Sequence, residues 1–291
     1  MWRDFPYSPQ KEDPVADNPE GLAAFSSRGP TRPGNRIKPD VVAPGTTILS
    51  ARSSHIYPGH FRNFWGESND EEWCYEGGTS MATPLTAGCC AVIRGALEDN
   101  DIKEPSAALV KAILINGAVA LKGQYNQAPP NGEFGPLADV PNSNSGFGRV
   151  NLNNSLQNVV PSSGRDYAGF GDFDGNKALG KDGIHSPEYG FPITVPRQSA
   201  DALPLTLKIT LVWADRPGEL LQADLDLIVK DDAGTEKHGN QGDGPEFDRA
   251  NNVEQVVWKN VKTGATYHVI IRAYRTTIDP QPFAYAWRLF P

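Results

Sequence analysis

One serine stands where chemistry could begin. Gly77-Gly78-Thr79-Ser80-Met81-Ala82-Thr83-Pro84 leads into a nearly all-apolar run over residues 78–98, whose only charges are Arg94 and Glu98. At the first turn of a helix, Ser80 would carry its hydroxyl on a rigid element. The free N–H groups there could donate to a developing oxyanion. Small residues before the serine let a substrate backbone approach. Taken alone, a serine in such a place is more often only a helix cap. Its hydroxyl is also a weak nucleophile until a base accepts the proton.

A second set of residues offers hard oxygen ligands. Asp224 and Asp226 lie two apart on an expected strand and so share one face. Asp248, Asn251, Asn252 and Glu254 follow a turn. Oxygen donors of these types suit calcium, and Asp224, Asp226, Asp248 and Asn251 are the expected ligands. The plainer alternative is a solvated polar face. Asp172, Asp174 and Asn176 sit in GDFDGNKALGKDG, but its glycine is misplaced for an EF-hand and no glutamate follows at the twelfth position, so a turn is expected. His185, His238 and His268 are not at metal-ligand spacing, and Cys74, Cys89 and Cys90 form no CxxC pair.

These residues need elements to position them. Val41-Val42-Ala43, closed by Pro44-Gly45, suits a strand buried on both faces. The apolar run from 78 to 98 predicts a core helix. A second helix is expected over 106–116, capped by Ser106, with Leu109, Ala112 and Ile113 as its stripe and Gly117 as its end. Residues 54–73 are irregular, as are the polar, Pro-rich residues 1–20. Beyond about 160 the period changes to two. Leu205, Leu207, Ile209, Leu211 and Trp213 alternate with Thr206, Lys208 and Thr210. The segments around Leu225, Tyr267 and Phe283 repeat the alternation, which predicts an antiparallel β-sandwich.

Composition narrows the partners. The chain is 38% hydrophobic and 21% charged, with a net charge of −8, which is globular and disfavours nucleic acid and acidic membranes. No apolar stretch reaches the roughly 20 residues of a spanning helix. The first residues lack the basic lead and apolar core of a signal peptide.

GTSMATP resembles, over seven consecutive positions, the nucleophile motif of the subtilisin-like serine proteases. FSSRGPT at 25–31, GNRIKPDVVAPGTTILSA at 34–51, ILINGA at 113–118 and GFGRVNL at 146–152 resemble the surrounding parts of the same catalytic domain. LVWADRPG, ADLDLIV, NNVEQVVW and QPFAYAW resemble, in that order, the C-terminal β-sandwich of oxidatively stable alkaline subtilases and their fungal relatives.

This resemblance implies the C-terminal half of an α/β subtilisin fold over 21–160, with a parallel sheet and core helix, after an irregular 1–20. A jelly-roll-like sandwich would fill 161–291. It implies a secreted endopeptidase acting on peptides or proteins through a Ser80 acyl-enzyme, with no catalytic cofactor and with structural calcium in the sandwich. The triad order Asp, His, Ser puts both partners before Ser80. There the chain offers Asp4, Asp13, Asp17, Asp40 and Asp70 with His55 and His60, none in the family's D-[ST]-G or HGTH context; the AAGN-like oxyanion asparagine is missing too. The expectation is therefore a truncated catalytic domain. It is either one half of a split protease completed by an N-terminal segment, or an inactive remnant whose sandwich serves as a binding or stabilising module.

Overall fold

The computed structural model describes residues 18–23, 25–55, 65–66, 68–121, 139–160, 167–197 and 203–291. The chain divides into two compact units, described in turn. One comprises Met1–Gly29, Lys38–Cys89 and Val119–Val150; the other comprises Pro30–Ile37, Cys90–Ala118 and Asn151–Pro291.

In the first unit, β1 (Ile48–Ala51) and β2 (Trp73–Glu76) pair antiparallel. Helix α1 (Thr79–Asp99) follows β2 directly. A parallel sheet was expected here, with Val41–Ala43 as one strand. Among the described residues the only parallel pairing is an isolated bridge from Val42 to Arg149. Among the described residues no second parallel strand flanks Val42, so its run of three apolar residues has nothing there to extend into a ladder. It packs instead on Leu22 and Leu121.

The expectation of a core helix is not met by α1, whereas the next helix, expected to bury only a stripe, is the more buried of the two. Only Ile93 and Leu97 of α1 are buried, while Leu85 and Val92 are 43% and 48% exposed. An apolar sequence identifies a helix that needs a partner surface; the described residues supply little of one. Helix α2 (Ala107–Gly117) buries Leu109 and every residue from Ala112 to Gly117.

The second unit is built on two four-stranded antiparallel sheets. The strands are β3 (Ala168–Phe173), β4 (Glu188–Thr194), β5 (Leu205–Val212), β6 (Asp224–Asp231), β7 (Glu236–His238), β8 (Val253–Val261), β9 (Thr266–Arg275) and β10 (Phe283–Phe290). The sheet orders are β3-β10-β5-β8 and β4-β9-β6-β7. Period-two residues from both sheets meet in one core: Leu207, Ile209 and Leu211 of β5 with Leu225, Leu227 and Val229 of β6 and Val269 and Ile271 of β9. Buried Trp213 keeps its indole N–H satisfied by donating to the Ala223 carbonyl at 3.0 Å. An aromatic seam adds to the core, with Phe191 of β4 stacked on Tyr285 of β10 at 4.5 Å.

The outer face of the first sheet is covered as well. Lys208 and Thr210, which alternate with the core residues of β5, are buried too. Ala284 and Ala286 on β10 are too small to hold α2 away, and it packs on β5 and β10. The short helix α3 (Leu152–Leu156) packs against α2.

Both ends of α2 are capped, and each carbonyl from Leu114 to Ala118 has a donor. At its start, Ser106 caps Leu109 N at 3.0 Å, as the sequence predicted, and Asp172 of β3 accepts from Ser106 N and Oγ at 2.9 and 2.7 Å. At its end, Ser155 Oγ donates to Leu114 O at 3.4 Å and Ala118 N to Ile115 O at 3.1 Å. Arg288 Nε donates to Asn116 O at 3.2 Å, Asn154 Nδ2 to Gly117 O at 3.2 Å, and Lys208 Nζ to Ala118 O at 2.7 Å. The buried Asn116 amide donates to Lys208 O, Thr210 Oγ and Ala286 O at 3.1, 3.2 and 3.1 Å, stitching the helix to two strands.

Burial, and then the charge of Arg288, push the Lys208 amine down to about 7 from an ordinary 10.5. Between those values the unfolded chain binds more protons than the folded chain, so stability rises with pH across the window. The urea midpoint should increase from pH 7 to pH 10, and Lys208→Met should flatten that slope. Asn116→Leu removes three buried hydrogen bonds and should cost about 1–3 kcal/mol in the same assay.

Candidate active site

Ser80 is the second residue of α1, reached from β2 through Gly77 and Gly78. Gly78 has φ +147°, a conformation that side-chain-bearing residues rarely adopt, and its N–H donates to Gly45 O at 2.6 Å. That bond and the β1–β2 ladder fix the chain where the strand turns into the helix. Gly77 is close-packed: a Cβ there would come within 2.4 Å of the Trp65 ring.

Ser80 is exposed, and among the described residues neither its N–H nor its hydroxyl has a hydrogen-bond partner. The Met81 N–H turns back to Gly78 O at 3.1 Å, and no acidic residue lies in the first turn of α1. The unpartnered Ser80 N–H and the positive end of the helix therefore face whatever approaches the hydroxyl. Pro84 has no N–H to give the Ser80 carbonyl, so the first turn is held partly by side chains. Thr83 Oγ1 donates to Thr79 O at 2.9 Å and Thr86 Oγ1 to Ala82 O at 3.0 Å.

No general base joins Ser80 among the described residues. Asp40 accepts from Lys38 Nζ at 2.5 Å, and its carbonyl accepts from Phe147 N at 2.9 Å. Asp70 accepts from Glu72 N at 2.9 Å in the turn before β2. His55 is exposed, with Nδ1 3.5 Å from Ser54 Oγ. Asp4, Asp13, Asp17 and His60 lie outside the described residues.

The expected calcium ligands do come together, but their oxygens are taken. Asp226 Oδ1 accepts from Arg249 Nη1 at 2.5 Å, and Oδ2 from Arg272 Nη2 and Nε at 2.7 and 3.1 Å. Asp224 Oδ1 accepts from Arg249 Nη1 at 3.2 Å. Asp248 accepts from Asn240 Nδ2 and Asn251 Nδ2, both at 2.7 Å, and from Ala250 N at 2.8 Å. Asn251 Oδ1 accepts from Ile37 N at 2.7 Å. Among the described residues of this set, Asp224 Oδ2 and Glu254 Oε1 are left unpartnered, where calcium takes six to eight oxygens. Among the described residues no group of three or more His, Cys, Asp or Glu could hold a metal ion. This donor set does not fit calcium.

Residues 15–150 match the model of the Subtilase family. This part of the chain is similar to the serine peptidases of that family. The chain is 28% identical over 94% of its length to the serine protease/ABC transporter B family protein tagD of Dictyostelium discoideum, covering 17% of that protein. Identity to tagB of the same organism is 28% over 93% of the chain and 16% of the relative. The minor extracellular protease Vpr of Bacillus subtilis is 35% identical over 40% of the chain and 12% of its own length. The chain thus spans about a sixth of the length of the two relatives that it matches end to end.

The two glycine and serine positions separate geometry from chemistry. Gly78→Ala should lower stability by about 1–3 kcal/mol, because its φ strains any side chain. Ser80→Ala should stay within about 0.5 kcal/mol of the parent, because the hydroxyl holds nothing in place. Paired urea titrations measure both; a large loss for Ser80→Ala would make it a structural residue.

Proposed function

We propose that this chain supplies the nucleophile of a subtilisin-like serine endopeptidase. The observation that carries this is an exposed Ser80, with hydroxyl and N–H unpartnered, at the strand-to-helix turn of a GTSMATP motif. In this reading Ser80 Oγ attacks the scissile carbonyl of a peptide or protein, and the Ser80 N–H donates to the oxyanion. The proton acceptor, its carboxylate and the second oxyanion donor come from polypeptide not described here, as in a split protease completed by an N-terminal segment. The uncovered apolar side of α1, at Leu85 and Val92, favours such a partner layer. The orders β3-β10-β5-β8 and β4-β9-β6-β7 support a jelly-roll reading of the sandwich, appended to the peptidase part. Work outside the cell fits the resemblance to an extracellular protease, and among the described residues no helix is long and apolar enough to cross a membrane.

The second reading is an inactive chain whose sandwich acts as a binding or stabilising module. The lack of a base on Ser80 among the described residues favours it. A fluorophosphonate probe separates the two. On the first reading the chain alone stays unlabelled, an added N-terminal subtilase segment brings labelling, and Ser80→Ala abolishes it. No labelling in either condition leaves the inactive module. Labelling of the chain alone would place a working base within it.

A further inference from the structure

Four carboxylates are withdrawn from water beside β6: Asp224, Asp226, Asp248 and Glu254 are each no more than 6% exposed. Buried carboxylates must be protonated, hydrogen-bonded or met by positive charge. Asp248 is met by neutral amides and backbone N–H groups. Glu254 accepts from Leu227 N at 2.6 Å, and its burial raises the carboxyl well above the usual range. Positive charge is placed directly on Asp224 and Asp226.

Arg249 lies against both of these aspartates, and it is held there by more than charge. Its guanidinium stacks 3.8 Å from the Tyr274 ring centroid and 5.0 Å from that of Phe247. Arg272 stacks on the same Phe247 at 5.1 Å and closes the other side of Asp226. Two aromatic rings and two carboxylates thus fix the plane of one cation before anything can bind. Such a clamp suits the flat guanidinium and would be wasted on a lysine.

We propose that Arg249 is a tethered counter-cation occupying the place a divalent metal would take against Asp224 and Asp226, so that this sandwich keeps its fold without calcium. Chain connectivity holds the guanidinium at the carboxylates at all metal concentrations. Calcium could enter only by displacing a clamped side chain. This inference does not depend on the activity of Ser80.

Thermal unfolding of the whole chain, followed by tryptophan fluorescence, tests it. The midpoint should agree within about 1 °C between a chelator and about 5 mM calcium, a concentration that saturates even weak extracellular sites. Arg249→Gln should lower the midpoint in chelator by roughly 5 °C or more, and calcium should recover at least about half of that loss. A parent midpoint that rises by several degrees with calcium would overturn the proposal. So would an Arg249→Gln variant that melts like the parent in chelator, or one that calcium leaves unimproved. Should that variant not fold, the charge-matched pair Asp226→Asn with Arg249→Gln is expected to fold and to ignore calcium; a calcium-dependent midpoint there would count against the proposal.

Discussion

The end of a buried helix is a row of carbonyls with no partner of its own, and the second unit is organised around meeting that demand. Helix α2 lies on a sheet, so water cannot satisfy its last turn. Side chains from β5, β10 and α3 do so instead, one for nearly every carbonyl from Leu114 to Ala118. The charges match the helix dipole: a carboxylate from β3 at the positive end, a guanidinium from β10 at the negative end. Lys208 shows the tension in this solution. Its amine is needed as a donor, while burial and Arg288 disfavour its charge. A neutral amine still donates, so the bond survives deprotonation.

The two long helices show what apolar composition means. From sequence α1 read as a core helix and α2 as one with an apolar stripe, yet the deeply buried one is α2. Its large residues, Leu109, Ile113, Leu114 and Ile115, meet β5 and β10. Along α1, the alanines and glycines between Leu85 and Val92 make a surface made for close approach, yet little of it is covered by the described residues. The helix that carries Ser80 thus leaves both its apolar side and its serine open, and each calls for groups the helix does not itself contain. That shared requirement is why the serine and the uncovered side belong to one account.

What the sequence made legible was local. Period-two alternation located the sandwich strands because each buries one face, and the Ser106 cap was visible because capping acts across three residues. Ser80 drew notice through a seven-residue motif, and the residue is exposed at the start of α1. What was hidden depends on pairs far apart in the chain. Asp172 looked like a turn residue until Ser106, 66 positions away, met it. Lys208 gave no sign of its burial because alternation cannot see that a second layer covers the outer face. Asp224 and Asp226 advertised oxygen ligands truthfully, but nothing in their spacing foretold that Arg249 would fill them. The short run at Val41–Ala43 misled because a strand is made by its neighbours, and only Arg149 is there to pair.

The placement of Arg288 on β10 has a temporal side. The helix that it closes ends at Gly117, 171 residues earlier, and the strand that holds it is the last of the ten. During synthesis from the amino terminus, α2 leaves the ribosome long before all of its terminal carbonyls can be answered. Residues of α3 and β5 can answer Leu114, Gly117 and Ala118 earlier, but until β10 arrives the Asn116 carbonyl belongs to water and half of the surface that α2 packs on is missing. The second unit is therefore a structure whose closure is deferred to its final strand, which makes the carboxyl-terminal strand the fastener of the whole layer.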